Sequence, residues 1–146
     1  MNILMIVLGI FSSIELLNIL MLYAKPEAQY GNGVGVFKAC EESKENPMVH
    51  MFIRYLVLWV AGTKLIFVGL IIIIILYGNW ITQIAAVIVL LLTTSTFFVR
   101  LYPIIKIMDK QKELTVKGYS KKLALMISFF LLMFLSALLL ETIGLI

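Results

Sequence analysis

Residues 55–77 read YLVLWVAGTKLIFVGLIIIIILY, from Tyr55 to Tyr77, and this stretch decides the fold. A bilayer's hydrocarbon core is about 30 Å thick, so a helix rising about 1.5 Å per residue crosses it in roughly 20 residues. The stretch is long enough, is bounded by a tyrosine at each end, and carries one charge, Lys64. Lipid cannot satisfy open backbone groups, so the crossing element is expected to be a helix.

Three further stretches of the same kind lie on either side of it: 3–23 before it, then 81–102 and 123–146 after it. The chain therefore reads as a single all-α transmembrane domain over residues 1–146, an integral membrane four-helix bundle. Only Gly78-Asn79-Trp80 separates the second and third stretches, and so short a link predicts antiparallel neighbours. The first stretch lacks a positive leading region and is long enough to span, so it is read as a retained helix and not a cleaved signal peptide.

Composition points the same way. Of 146 residues 62% are hydrophobic and 14% charged, against about half and a quarter in soluble domains. A soluble chain this short has too little interior to hide so many apolar side chains. The net charge of +4 does not argue for nucleic acid, because membrane loops collect Lys and Arg for reasons of topology. Lys25, Lys38, Lys44 and Arg54 lie in or beside loop 24–54. Arg100, Lys106, Lys110, Lys112, Lys117, Lys121 and Lys122 lie in or beside loop 103–122. Positive loops stay inside, so both loops are expected to be cytoplasmic and both termini outside, in a cell membrane. Tyr23, Tyr55, Trp59 and Tyr102 would mark one interface, Tyr77 and Trp80 the other.

Within the loops, Phe37 to Lys44 suggests a short helix stopped before Pro47. Ile104, Ile105 and Met108 after Pro103 suggest either a surface helix or an extension of the third span.

Two charges lie far from the span ends. Glu15 is about eight residues from Tyr23 and Lys64 about nine from Tyr55, which places each roughly 12–14 Å deep. Thr93 and Thr94 reach that level in the third span. Asn18 and Ser12 lie one turn to either side of Glu15, and Ser128 and Ser136 are the fourth span's candidates. Each such charge costs about 2.5–3.5 kcal/mol to insert. A Glu15–Lys64 ion pair would hold the first two spans together. The same layer, with Glu15, Asn18, Lys64, Thr93 and Thr94, could equally bind an ion, a proton or a small polar solute.

Three functions remain open. The first is a channel- or transporter-type protein, as a homo-oligomer or within a larger membrane complex. The second is a non-catalytic accessory subunit. The third is a lipid-binding or lipid-modifying protein that uses Lys64 and meets anionic lipid at the basic loop 103–122. Whether the chain is an enzyme stays open, with the balance against it; an enzyme would have to rely on Glu15 and Lys64 or on loop residues. One His and one Cys make a protein-built zinc site improbable, heme or copper lacks a ligand set, and no cofactor is expected. No serine–histidine–acid set is foreseen around His50, which reads as a solvated loop residue. Cys40 reads as a loop residue, with palmitoylation a minor alternative. Gln83 and Glu141 could meet near the outer face, while Gly9, Ala61, Gly62 and Gly69 would allow close helix contact. Tyr30 to Val34 reads YGNGV, the motif of pediocin-like bacteriocins, but those are short soluble peptides with paired cysteines, so nothing is carried over.

Overall fold

The structure is a computed structural model, described over residues 2–30 and 32–144. It contains four long helices: α1 (Ile3–Ala24), α3 (Pro47–Tyr77), α4 (Trp80–Lys110) and α5 (Tyr119–Ile143). A short helix, α2 (Lys38–Glu42), lies in the first loop. No strand occurs among the described residues, which hold only an isolated antiparallel bridge between Phe37 and Leu114. All four long helices are apolar and long enough to cross a membrane, which makes this a multi-pass membrane protein by composition and length.

Local chemistry sets where the helices begin. Asn2 Oδ1 accepts from Met5 N at 2.9 Å, and Asn79 Oδ1 accepts from Thr82 N at 2.9 Å. Asn46 Oδ1 accepts from Met48 N and Val49 N, with Pro47 next to it as the first helical residue. Asparagine caps use a side-chain oxygen to satisfy amides that have no intrahelical partner. Proline at that first position gives up no hydrogen bond and brings a helical φ. Pro47 therefore starts α3 well before Tyr55, where the sequence reading put the span's start. After α2, a 3₁₀ turn at Ser43–Glu45 leads directly into this cap.

Helix α4 runs through Pro103 to Lys110, so the extension is the form taken. Proline removes one backbone donor, at the cost of the Val99 carbonyl's partner, and the helix continues past it. At 1.5 Å per residue, α3 and α4 are each about 46 Å long, well beyond the hydrocarbon thickness. The turns of α4 after Pro103, which carry Lys106, Asp109 and Lys110, therefore project past the apolar stretch.

The helices pack as pairs, α1 on α3 and α5 on α4, with α1 also against α5. Although α3 and α4 adjoin in sequence, they touch little. One apolar core fills the end of the bundle near the α3–α4 link, with Leu4, Leu8 and Phe11 of α1 against Val87, Phe130 and Phe134. Phe11 meets Phe130 and Phe134 edge-on, with ring centroids 5.3 Å apart in both cases. A second core joins Ile19 and Leu22 to Val57, Ala61 and Val68. A third, of Phe97, Ile105 and Leu114, anchors the two loops.

Outside these cores the helices present apolar residues outward. Ile66 is 70% exposed and Leu125 75%. Helices apolar all round need lipid, or a partner helix, as their solvent. The small residues play unequal parts. Ala61 is fully buried, and a Cβ on Gly62 would lie 3.5 Å from the Tyr23 hydroxyl, so α1 and α3 do approach there. A Cβ on Gly9 or Gly69 would meet nothing within 4 Å, so the close contact expected at those two positions is not made.

Candidate functional site

The two charges that lie within the apolar helices meet. Lys64 Nζ of α3 lies 2.5 Å from Glu15 Oε2 of α1. The two side chains are 24% and 16% exposed, so the pair is mostly withdrawn from its surroundings yet not sealed. Apart from the lysine ammonium, Glu15 Oε2 has no hydrogen-bond partner among the described residues. The same holds for two buried neighbours on α1, Ser12 Oγ and Asn18 Oδ1. Ser12, Glu15 and Asn18 follow one another at three-residue spacing and share one side of α1, spread over about a third of its circumference. Buried polar atoms are nearly always paired. Two oxygens without partners beside an ion pair mark a place where the fold favours polarity over packing.

On its other side Lys64 faces a groove of about 400 Å³. Val60 and Lys64 of α3 form one wall, Thr93, Thr94, Thr96 and Phe97 of α4 the other, and Leu123 and Ile127 of α5 contribute as well. The groove exists because α3 and α4 diverge away from their link. Phe37 and Tyr119, at the loop end, border it too. The structure thus brings Lys64, Thr93 and Thr94 to one surface, with Glu15 behind the lysine and Asn18 among the oxygens that lack partners. Thr96, next to these in sequence, joins the groove as well.

The hydroxyl protons are largely committed. Thr93 Oγ1 donates to the Val89 carbonyl at 2.7 Å, Thr96 Oγ1 to the Thr93 carbonyl at 2.6 Å and Ser95 Oγ to the Leu92 carbonyl at 2.7 Å. Such back-bonding is common for Ser and Thr within helices. It leaves lone pairs on Thr93 and Thr96, so those two hydroxyls offer acceptors to the groove. Ser136 bonds its own helix at the Leu132 carbonyl and takes no part.

At the loop end the sequence expectations need correction. His50 is not solvated. Its side chain is 18% exposed, its Nδ1 lies 2.9 Å from Ser43 Oγ, and its Nε2 lies 3.1 Å from Glu27 Oε1. A serine–histidine–acid set does therefore form, because the chain after α1 folds back and carries Glu27 to the start of α3. It is not arranged for nucleophilic catalysis. Ser43 is 7% exposed and its hydroxyl donates to the Cys40 carbonyl at 2.6 Å. Both ring nitrogens of His50 are engaged, so the set ties loop to helix.

Lys44 joins the cluster at 3.8 Å from Glu27 and 2.7 Å from Glu41, and the Glu41 carboxylate accepting from Nζ raises the lysine's pKa. Cys40 is 4% exposed, and burial, reinforced by Glu27, pushes its thiol up. Sealed in this way, it is a poor acylation target.

The second loop has its own polar lock. Asp109 accepts from Ser120 Oγ at 2.6 Å and from the amides of Gly118 and Ser120 at 3.1 Å each. The Ser120 hydroxyl first, and then these amides, hold the Asp109 carboxyl below its ordinary range. Gly118 sits at the start of α5 with φ 73°, a conformation that suits glycine. Asp109 does the capping that Gly118 has no side chain to do. The two loops also join directly, Lys38 N to the Glu113 carbonyl at 3.0 Å and Thr115 N to the Val36 carbonyl at 2.9 Å.

At the opposite end Gln83 and Glu141 do not meet. Gln83 accepts from Asn2 Nδ2 at 2.8 Å and donates to the Gly78 carbonyl at 3.1 Å, while Glu141 accepts from Trp80 Nε1 at 2.5 Å. Each stitches a different chain end to the α3–α4 link. Comparison with known proteins finds no matching family model, no similar curated protein and no similar solved structure, so the site's own chemistry carries the functional reading.

Proposed function

We propose that this is a transport-type membrane protein whose Glu15–Lys64 pair, with Asn18, Thr93 and Thr94, handles a proton or small cation at mid-bilayer depth. The observation that carries the reading is the ion pair itself, whose Lys64 borders a groove that also presents Thr93, Thr94 and Thr96. Ionisable groups inside a membrane are costly and are usually kept for function. Glue alone would explain the pair, but not the threonines beside Lys64 or the Ser12 and Asn18 oxygens that have no partner among the described residues.

In this reading the four long helices run antiparallel, with both termini outside and both loops cytoplasmic. The contact between the two loops supports placing them on one side, and their Lys and Arg content supports the inside. The groove then gives access from the cytoplasmic side. The packed rings of Phe11, Phe130 and Phe134 fill the outer half. With that core filling the outer half, transport in this reading calls for a homo-oligomer or a larger membrane complex.

Reconstitution in proteoliposomes under an imposed pH or cation gradient tests this. The wild-type chain is expected to dissipate the gradient, and Glu15→Gln is expected to lose at least ten-fold in rate while keeping its oligomeric state. Equal rates for the two, or no flux from well-folded wild type, would overturn transport. In the second case, co-purification with a larger partner would point to an accessory subunit.

A further inference from the structure

A separate recess lies on the loop-side end of α3. Its volume is about 490 Å³, and it is bordered by Lys44, His50, Met51, Arg54, Tyr55 and Leu58. The five α3 residues recur at spacings of three and four, so they form one face of the helix. That face is graded. The charged and polar groups of the recess, Lys44, His50 and Arg54, all stand before Tyr55, interleaved with Met51, and from Tyr55 onward the face is apolar.

The charges near it are unequally matched. Glu27 is engaged by Lys44 at 3.8 Å and by the His50 ring at 3.1 Å, and Lys44 is also bound to Glu41. Arg54 makes no ion pair among the described residues, although it is exposed and also borders the adjoining recess with Lys25, Glu27 and Tyr30. It is thus a guanidinium free to bind, at the level where phospholipid headgroups lie. Guanidinium binds phosphate through two parallel hydrogen bonds. Below it, Tyr55 is 60% and Leu58 38% exposed, a surface suited to an acyl chain.

We propose that this face is a binding site for an anionic phospholipid, with the phosphate on Arg54, Lys44 helping at the rim, and an acyl chain along Tyr55 and Leu58. It is distinct from the Glu15–Lys64 groove and from the basic loop 103–122.

The test is native mass spectrometry of the full chain, purified in mild detergent, stripped of lipid, then titrated with phosphatidylglycerol or phosphatidylcholine. Phosphatidylglycerol adducts are expected to outnumber phosphatidylcholine adducts at least ten-fold. Arg54→Gln is expected to abolish that preference with an unchanged thermal midpoint. Arg54→Lys should restore part of it, since lysine offers charge without the two-pronged geometry. Lys117→Gln, on the other loop, should leave it intact. Loss of preference in Lys117→Gln but not in Arg54→Gln would overturn the site. So would equal retention of the two lipids. Displacement of the lipid by millimolar inorganic phosphate would make this a site for free anions and overturn the lipid assignment. If Arg54→Gln fails to fold, Leu58→Trp provides the second variant. It leaves the guanidinium in place but obstructs the chain path, and full retention of phosphatidylglycerol in it would also sink the proposal.

Discussion

Lys64 and Glu15 come from different helices and close to 2.5 Å, each reaching the other at the same level of the bundle. The contact gives α1 and α3 a fixed register. It also means that neither charge can be removed without stranding its partner in a medium that solvates it poorly.

The first prediction follows from that dependence. Removing one partner of a buried pair costs about 3–5 kcal/mol, whereas replacing both with neutral groups is often harmless. Partial exposure of this pair places the cost toward the lower end. Glu15→Gln and Lys64→Met should each lower the thermal midpoint in detergent, and the double variant should recover most of the loss. If the double variant loses the sum of the two single losses, the side chains do not interact. Flux in the double variant separates the roles: recovery of stability without recovery of flux is the transport result, and recovery of both reduces the pair to a tether.

How far the sequence foretells this structure depends on the range of the contact. The four spans follow from composition alone, because lipid rewards long apolar runs. The common depth of Glu15 and Lys64 follows from counting residues inward from tyrosines. The start of α3 is also legible, since Asn46-Pro47 is a cap followed by a first-turn proline, but proline serves equally as a stop for the short helix before it. His50 with Glu27 was not legible. Those residues lie 23 apart in sequence, and only the fold of the intervening loop brings them together. The same holds for Gln83, whose partner Asn2 is 81 residues away. The groove beside Lys64 arises from the divergence of α3 and α4, which no local pattern encodes.

The loop tether should govern the reactivity of Cys40. A thiol that burial holds above its ordinary pKa has less thiolate at any given pH, and the thiolate is the reacting form. Native protein should therefore react slowly with a soluble maleimide. His50→Ala removes the link between Ser43 and Glu27, so labelling of Cys40 is expected to accelerate about ten-fold while the helices persist by circular dichroism. Unchanged labelling would mean that the loop is held by the Phe37–Leu114 contacts instead.

The aromatic packing between α1 and α5 tests what stabilises the bundle. Phe134 is fully buried, 5.3 Å from the Phe11 ring. In a soluble protein Phe→Ala costs about 3–5 kcal/mol from lost transfer energy and the cavity left behind. Inside a membrane, lipid tails supply an equally apolar environment, so the transfer part largely vanishes and packing remains. Phe134→Ala should therefore cost on the order of 2 kcal/mol by that reasoning. Steric trapping or reversible unfolding in mixed micelles measures it. A loss at the soluble-protein value would show that this core excludes lipid as strongly as a soluble core excludes water.

Asp109 supplies the pH dependence. Its carboxyl is held below its ordinary value, chiefly by the Ser120 hydroxyl and then by two backbone amides. A group whose folded pKa is depressed binds fewer protons in the folded state than in the unfolded state. Its contribution is therefore fully present above the unfolded value, near 3.8, and disappears as pH falls through the folded one. At neutral pH the α4–α5 corner should be locked. As the solution is taken below about pH 4, Asp109 protonates, the cap on the start of α5 weakens and the corner loosens. Hydrogen exchange at the amides of Gly118 and Ser120 reads this directly, since those two amides bond the carboxylate. In Asp109→Asn the same amides should exchange faster at neutral pH, and their protection should lose its acid dependence. Because that substitution keeps the side chain's shape, acid dependence that survives in the variant would assign the effect to another carboxylate and leave Asp109 a spectator.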